Sequence, residues 1–237
     1  MTDGCELFKK KVAVSKKLQK RIMIVDDHPL VREGLVSLIR RTPDLTVSGQ
    51  AGCSDEAKSE LAKATHDLLL LDLSLPGGGG VELIKEVRAL YSRLRILVLS
   101  MYEEGIYAER VLRAGANGYI MKQEPGPRIV EAVRCVLRGE IYVGPAIAAQ
   151  LVKQFLEGKQ GDDSAHVEKL SDRELQVFTC LGNGMTSQQV AERFSLSVKT
   201  VHAHREHIKR KLGLRNATNL VHHAVQWIQT RSGQSQP

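Results

Sequence analysis

Short apolar runs alternate with helical patterns from residue 21 to residue 140, and this alternation constrains the fold more than any other feature. The runs predict five β-strands: Ile22–Val25, Thr46–Ser48, Leu68–Leu71, Ile96–Leu99 and Tyr119–Met121. The intervening segments repeat apolar residues at spacings of three and four, which is typical of helices, as in Leu30–Arg40, Val81–Leu90 and Ile106–Arg113. Strands joined by helical crossovers form a parallel sheet covered on both faces. We therefore expect a doubly wound α/β domain of five parallel strands, with the all-apolar Leu68–Leu71 as a central strand.

A second, all-helical domain is predicted in the last third of the chain. Ser171–Glu174 and Thr186–Gln189 have the capping-box pattern that begins a helix, and Ser197 precedes a third helical pattern. Glycines follow the first and third of these helices, and room remains for a fourth. Before this domain, Ala146–Leu156 predicts a helix within a linker. The predicted division is a basic extension over 1–20, the α/β domain over 21–140, the linker over 141–167, the helical domain over 168–232 and a tail over 233–237.

The charge of the chain is unevenly distributed. The formal net charge is +7, and the excess lies at the two ends: residues 168–237 hold ten Lys and Arg against five Asp and Glu, with five histidines. A basic helical domain is typical of proteins that bind nucleic acid. The four cysteines are scattered, which favours reduced thiols over a zinc site or a disulfide framework. No apolar stretch is long enough for a membrane span, and the lysine-rich first residues do not resemble a secretory signal, so we expect a cytoplasmic protein without a membrane partner.

Polar and charged side chains follow four of the five predicted strands. Asp26 and Asp27 come directly after the first strand and Asp72 after the third. Ser100 follows the fourth strand and Lys122 the fifth. Because ligands collect at the carboxyl ends of parallel strands, we expect these five residues to share one site, which we call the acidic pocket. Clustered carboxylates need a hard cation such as Mg²⁺, and a carboxylate beside Mg²⁺ can attack phosphorus while the lysine balances the phosphoryl charge.

Residues 21–140 resemble a bacterial receiver domain. The resemblance is carried by the motifs IVDDHPLVREGL, LLLLDLSLPGGGGVE, ILVLSMYEE and GANGYIMK, which span the whole segment. It implies a flavodoxin-like fold in which Asp72 accepts a phosphoryl group. It also implies a Mg²⁺ site whose protein ligands are Asp26, Asp27, Asp72 and the backbone carbonyl of Ser74.

The same resemblance implies a switch beside the acceptor. Ser100 is the hydroxyl that reorients towards the phosphate, Lys122 is the phosphate partner and Tyr119 is the switch aromatic. Two features depart from the family pattern: the four glycines Gly77–Gly80, which predict a flexible loop, and Gln123, where many receivers have proline. The glycine run lacks the Gly-Lys-Ser/Thr that completes a phosphate-binding P-loop. Neither departure removes a reactive group.

Residues 170–227 resemble the LuxR-type helix-turn-helix domain of NarL/FixJ-type regulators, through LSDRELQVFTCLGNGMTSQQVAERFSLSVKTVHAHREHIKRKLGLRNATNLV. The resemblance makes Gln188–Phe194 the supporting helix and Val198–Leu212 the recognition helix. One stripe of the recognition helix is predicted to face the domain core, namely Val198, Val201, Ile208 and Leu212. On the family pattern His204 also packs inward, as a structural residue.

The other face of the recognition helix is expected to meet double-stranded DNA. Lysines and arginines suit phosphate contacts, which give affinity and position: Lys199, Lys209, Arg210 and Lys211. His202, Ala203 and Glu206 match family positions that reach base edges in the major groove. Thr200 and Arg205 can support either set.

The two resemblances together imply a two-component response regulator. A sensor histidine kinase passes a phosphoryl group to Asp72, and the receiver then frees the recognition helix. The last helix, about Ala217–Gln229, then allows a homodimer to bind two half-sites of a promoter. RNA polymerase is a candidate further partner, and activation is the commoner behaviour in the family. The receiver of such a protein catalyses at most its own phosphorylation and dephosphorylation, so an enzyme is not expected.

Two other functions are consistent with parts of the sequence. In one, DNA binding is independent of phosphate and the receiver is a dimerisation scaffold, although such a scaffold would not need an intact acidic pocket. In the other, the α/β domain is a phosphotransfer enzyme of the haloacid-phosphatase kind. That chemistry needs a second carboxylate two residues after the nucleophile, where this chain has Ser74.

Overall fold

The computed structural model describes residues 19–75, 79–102, 104–157, 167, 169–194 and 196–232. Its first part contains the strands β1 (Lys20–Val25), β2 (Leu45–Ala51), β3 (Leu68–Asp72), β4 (Arg95–Ser100) and β5 (Gly118–Met121). They alternate with the helices α1 (Pro29–Arg40), α2 (Ser54–Lys63), α3 (Gly80–Leu90), α4 (Glu104–Arg113) and α5 (Gly126–Leu137). All five predicted strands are present, and each extends beyond its apolar run because backbone pairing does not require apolar side chains.

The five strands form one parallel sheet in the order β2-β1-β3-β4-β5. The central strand is β3, and its residues Leu68–Leu71 are at most 1% exposed, as expected for a strand covered on both faces. Leu68 and Leu70 pack with α1 and α5, whereas Leu69 and Leu71 pack with α2, α3 and α4. The strand order reverses between β1 and β3, so the loops that follow these two strands meet at one edge of the sheet.

The second part is helical, as predicted. It contains α6 (Pro145–Glu157), α7 (Asp172–Gly182), α8 (Ser187–Arg193), α9 (Val198–Leu212) and α10 (Ala217–Ser232). Both predicted capping boxes form, one between Ser171 and Glu174 and the other between Thr186 and Gln189. Gly213 ends α9 in the left-handed conformation, with φ +66°, which glycine adopts without strain. Within the described ranges, no helix is both long and apolar enough to cross a membrane.

Helices α7 and α10 approach each other closely in the core of the helical domain. Phe178 of α7 packs edge-to-face against Trp227 of α10, with ring centroids 5.7 Å apart. At the end of α7, a Cβ atom on Gly182 would lie 2.7 Å from the carbonyl oxygen of Ala224 and 2.6 Å from Cδ1 of Ile228. Only glycine fits there without moving one of the two helices.

We expect Gly182→Ala to lower the free energy of unfolding of the helical domain by about 1–3 kcal/mol, because the methyl group forces α7 and α10 apart. Thermal unfolding of the full chain measures this effect. The matched control is Gly34→Ala in α1, where a Cβ meets no atom within 4 Å and the higher helix propensity of alanine favours stability. Equal stability of the two variants would show that α7 and α10 have room to separate.

Candidate functional site

The structure brings the residues of the acidic pocket together at the carboxyl ends of the strands. Asp26 follows β1, Asp72 ends β3 and Lys122 follows β5. The Lys122 ammonium lies 2.7 Å from Oδ2 of Asp26 and 2.8 Å from Oδ2 of Asp72, and these three side chains are at most 5% exposed. A buried carboxylate without a cation costs several kcal/mol. The Lys122 charge therefore allows both carboxylates to be buried.

Asp27 and His28 form the outer rim of the pocket. Oδ1 of Asp27 lies 2.7 Å from Nδ1 of His28, whose side chain is 62% exposed. The ligand atoms of Asp26, Asp27, His28 and Asp72 all lie within 4.8 Å of one another. No motif marked His28 as a site residue, and its position directly after Asp27 was the only available signal.

The oxygen atoms of the pocket fit a hard divalent cation. Oδ2 of Asp26 and Oδ1 of Asp27 are buried and receive no aligned hydrogen bond from any residue described. Their ion-pair contacts with Lys122 and His28 are short but poorly directed, so lone pairs remain available. Mg²⁺ prefers carboxylate, carbonyl and water oxygens. The donor set therefore suits Mg²⁺ better than a soft transition metal.

Asp72 is fixed on both carboxylate oxygens. The Ser74 N–H donates to Oδ1 at 3.0 Å, and Lys122 donates to Oδ2. Burial raises the pKa of Asp72 above its usual value, while Lys122 and the Ser74 hydrogen bond oppose the rise. A buried carboxylate held in one orientation beside a lysine is a positioned nucleophile.

Ser100 and Tyr119, the two predicted switch residues, meet at the backbone of Tyr102. The Ser100 hydroxyl accepts a hydrogen bond from the Tyr102 N–H at 3.1 Å, and the Tyr119 hydroxyl donates to the Tyr102 carbonyl at 2.7 Å. Ser100 and Tyr119 are both 0% exposed, and burial raises the pKa of the Tyr119 hydroxyl, which keeps it protonated. The position of the Tyr102 backbone therefore depends on both side chains, although no sequence motif marked Tyr102.

The predicted flexible glycine loop lies partly outside the described residues, since 76–78 are not described. Its last member, Gly80, begins α3. A Cβ atom on Gly80 would lie 2.5 Å from the carbonyl oxygen of Leu73. Glycine at this position lets α3 start directly against the backbone that follows Asp72.

The predicted recognition helix is α9, and its inward stripe differs in one residue from the prediction. Val201 and Ile208 are 0% exposed, and Leu212 packs against the core. Val198 is 42% exposed, so its predicted inward position is wrong: it is the first residue of α9, before the helix reaches the packed interior. His204 is half-buried, and burial lowers its pKa, which favours the neutral ring expected of a structural histidine.

The opposite face of α9 is exposed. The exposed residues among those predicted to meet DNA are Lys199, His202, Ala203, Glu206, Arg210 and Lys211. Lys209 lies 2.9 Å from Glu206 one turn earlier, and Lys211 lies 2.6 Å from Glu174 of α7. Lys211 is therefore tied to the domain itself.

Two further residues of this set serve the structure of the domain. The Thr200 hydroxyl lies 2.8 Å from the hydroxyl of Ser197, the residue that caps α9. Arg205 donates to the Ser187 hydroxyl at 2.6 Å, which ties α9 to α8. Both side chains therefore make contacts within the domain, and their predicted support of the DNA contacts stays a prediction.

The α/β domain does not cover this face of α9 in the structure, contrary to the expectation that it holds the recognition helix. It contacts α7 and α10 instead. Asp172 of α7 reaches α3 and α4 through Val81 and Arg110, and Trp227 of α10 shares a cavity with Ile106 of α4.

Family models match two parts of the chain. The response regulator receiver domain matches residues 22–134, and the luxR family of bacterial regulatory proteins matches residues 168–224. Among curated proteins, the chain is similar to the oxygen regulatory protein NreC of Staphylococcus haemolyticus (strain JCSC1435), with 35% identity over 86% of this chain and 96% of the relative. NreC of Staphylococcus carnosus (strain TM300) is 34% identical over the same shares.

Two solved structures share the fold. A LuxR-family two-component response regulator from Aurantimonas sp. SI85-9A1 is 36% identical, with a TM-score of 0.54 over 58% of this chain and 99% of that one. RcsB of Salmonella enterica serovar Typhimurium, bound to the promoter rprA in the presence of the phosphomimetic BeF₃⁻, is 25% identical, with a TM-score of 0.56 over 87% of this chain and 98% of that one.

We expect Lys122→Met to lower the free energy of unfolding of the α/β domain by about 3–5 kcal/mol without divalent cation, because two buried carboxylates lose their counter-charge. Denaturant unfolding in the presence of a chelator measures this effect. The control is Lys63→Met, since Lys63 is 64% exposed and pairs with Glu60 on the helix surface; its change should stay within about 0.5 kcal/mol. Equal losses in the two variants would contradict the role given to Lys122.

Proposed function

Because this chain belongs to the two-component response regulators that join a receiver domain to a LuxR-type DNA-binding domain, we propose that a phosphoryl group on Asp72 controls its binding to promoter DNA. The observation that carries this proposal is the contact of Lys122 with both Asp26 and Asp72, 2.7 Å and 2.8 Å away. This contact fixes a buried nucleophile beside a cation. We assign the receiver to residues 21–140 and the DNA-binding domain to residues 168–232, joined by the linker 141–167.

Phosphoryl transfer from a sensor histidine kinase forms one bond and breaks another. A carboxylate oxygen of Asp72 attacks phosphorus on the phosphohistidine of the kinase. The O–P bond forms while the N–P bond breaks, and the electron pair of that bond stays on the imidazole nitrogen, which then takes a proton. Lys122 lies beside Asp72 and balances the charge of the phosphoryl oxygens. The receiver promotes its own phosphorylation and dephosphorylation in this way and has no other catalytic role.

Mg²⁺ is the cofactor that the pocket suits. Its protein ligands would be Asp26, Asp27, Asp72 and the backbone carbonyl of Ser74, which the sequence places two residues after the acceptor. When bound, Mg²⁺ supplies positive charge to the phosphoryl oxygens. His28 lies at the exposed rim, where its contact with Asp27 orients that carboxylate.

The switch begins at Ser100. Its hydroxyl, which now accepts from the Tyr102 N–H, turns to donate to the phosphoryl group. The Tyr102 N–H loses this acceptor, and the backbone of Tyr102 shifts. Tyr119 follows, because its hydroxyl is bonded to the Tyr102 carbonyl. The change therefore reaches the loop between β4 and α4.

On the DNA-binding domain, α9 lies in the major groove. Lys199, Lys209 and Arg210 contact phosphates, while His202, Ala203 and Glu206 face base edges. Thr200 and Arg205 hold α9 in place through Ser197 and Ser187. Phosphorylated chains form a homodimer through α10, and two α9 helices then meet two half-sites of a promoter. RNA polymerase is the candidate partner for activation.

The first test is phosphorylation of the full chain with a small phosphodonor and Mg²⁺, read by intact mass and sedimentation. We expect one phosphoryl group and a shift towards dimer in the wild type, and neither in Asp72→Asn. Asp55→Asn, which changes a surface carboxylate of α2, is the control and should behave as wild type. An unmodified wild type with unchanged DNA binding would refute the proposal and favour a receiver that serves only as a dimerisation scaffold.

A second test separates phosphate contacts from base contacts. Arg210→Ala should weaken binding to all duplexes alike and lower the salt dependence by about one phosphate contact. Glu206→Ala should instead relax the preference for one base pair, worth about 1–3 kcal/mol. Fluorescence anisotropy with promoter and scrambled duplexes at several salt concentrations measures both, and Lys63→Ala on the receiver surface is the control. Identical effects of Arg210→Ala and Glu206→Ala would contradict the assignment.

A further inference from the structure

The receiver and the DNA-binding domain meet in an interface formed by α3 and α4 on one side and α7 and α10 on the other, which we call the docking interface. Its centre is Asp172, the first residue of α7, which is 0% exposed. Oδ2 of Asp172 accepts a hydrogen bond from the Val81 N–H at 2.9 Å, and Oδ1 lies 3.1 Å from Nε of Arg110. Arg110 also donates to the Leu170 carbonyl at 2.6 Å. A single carboxylate of the DNA-binding domain thus joins two receiver helices.

The Val81 hydrogen bond belongs to the docked arrangement alone. Val81 lies in the first turn of α3, where a backbone N–H has no acceptor within its own helix. Asp172 supplies that acceptor from the other domain. When the domains separate, the Val81 N–H passes to water, so its protection from hydrogen exchange reports on docking.

The Asp172 carboxylate faces the Arg110 guanidinium, whose Nε lies 3.1 Å from Oδ1. Lys85, Glu109 and Arg113 line the neighbouring cavity of about 210 Å³ between the two domains. Burial raises the pKa of Asp172 to about 6, Glu82 adds to the rise, and Arg110 and the Val81 hydrogen bond oppose it. The ionised carboxylate is therefore held in the interface at a cost.

Other polar groups of the docking interface are also incompletely satisfied. Oδ1 of Asp172, the Tyr107 hydroxyl of α4 and the Thr179 hydroxyl of α7 are buried and have no aligned hydrogen bond from a described residue. The Tyr107 and Thr179 hydroxyls lie beside each other. The docking interface therefore buries these polar groups among apolar side chains of both domains, such as Ile106, Leu175 and Trp227.

We propose that Asp172 is a charged latch between the two domains, which Arg110 holds docked. The carboxylate is buried against the receiver, and the Arg110 guanidinium is the charge that compensates it there. Removing Arg110 leaves Asp172 buried without its cation and opens the interface.

The strength of docking depends on pH and increases as the pH falls. The docked state binds a proton more tightly than the open state, because docking raises the pKa of Asp172 from its usual value to about 6. Docking is therefore constant above pH 6, strengthens as the pH falls through 6, and levels off below the usual pKa of an aspartate, about 4. The linkage gives an increase of about tenfold in the docking constant between pH 7.5 and pH 5.

The latch lies next to the phosphorylation switch. Tyr102, whose backbone binds Ser100 and Tyr119, stacks on Tyr107 with ring centroids 4.8 Å apart. Tyr107 contacts Thr179 of α7 across the docking interface. The link between phosphorylation and docking rests on the proposed function. A phosphoryl group on Asp72 that moves Tyr102 also moves Tyr107 and thereby weakens docking. By thermodynamic reciprocity, separation of the two domains favours phosphorylation.

Docking is measured on the unphosphorylated full chain as the protection of the Val81 amide, by NMR hydrogen exchange corrected for intrinsic rates. The Leu70 amide in central β3 is the internal control for folding. Trp227, the one tryptophan of the chain, lines the cavity between the domains. Its fluorescence is a second measure of docking. Arg128→Gln, a charge change on exposed α5, is the matched control for Arg110→Gln.

We expect Arg110→Gln to lower Val81 protection by about tenfold or more at pH 7.5. Asp172→Asn keeps an acceptor for Val81 but removes the charge, so protection should no longer change with pH, and adding Arg110→Gln to it should cost much less than in the wild type. The proposal is overturned by any of three results: Val81 protection unchanged in Arg110→Gln, the same pH response in Asp172→Asn as in wild type, or equal effects of Arg110→Gln and Arg128→Gln.

This experiment uses neither phosphodonor nor DNA, so it stands apart from the test of Asp72. A chain that docks as described but takes no phosphoryl group would refute the proposed function and leave the latch intact. A chain that is phosphorylated on Asp72, but whose Val81 protection is the same with and without Arg110, would refute the latch and leave the proposed function intact. Where both hold, phosphorylation should lower Val81 protection in the wild type and leave it unchanged in Asp72→Asn.

Discussion

The ammonium of Lys122, placed between the carboxylates of Asp26 and Asp72, is the interaction on which the rest of the receiver depends. Two carboxylates can be buried at the edge of the sheet only if a cation lies beside them. The parallel order of β1, β3 and β5 places Lys122 there, because the three strands end at the same edge. The apolar sheet beneath gives these side chains a rigid base. The pocket is thus a direct product of strand order.

Incomplete polar contacts are concentrated in two places. Five buried side-chain atoms of the described residues have no aligned hydrogen bond. Two of them, on Asp26 and Asp27, lie in the acidic pocket, and the other three, on Tyr107, Asp172 and Thr179, lie in the docking interface. Buried polar groups are otherwise almost always satisfied, so these two sites are exceptions among the described residues. Both are sites where we propose a change of partner.

Much of this architecture could be predicted from sequence, because it depends on local rules. Strand runs, helix spacing and the capping boxes at Ser171 and Thr186 each depend on a few neighbouring residues. The acidic pocket could also be assembled, since parallel strands bring their ends together. The docking interface could not be predicted. In its local sequence Asp172 is an ordinary acidic residue in the first turn of α7, and its partner Val81 is 91 residues away along the chain. The exposure of Val198 was missed for the same reason, because packing around a helix end is set by the tertiary structure.

The exposed reading face of α9 has a kinetic consequence. A docked chain still presents its lysines and arginines to solvent, so it retains a long-range attraction for the phosphates of any duplex. Under the proposed function, such a chain would associate with DNA non-specifically before any signal arrives. The delay between signal and response would then be the time that two chains on the same duplex need to meet.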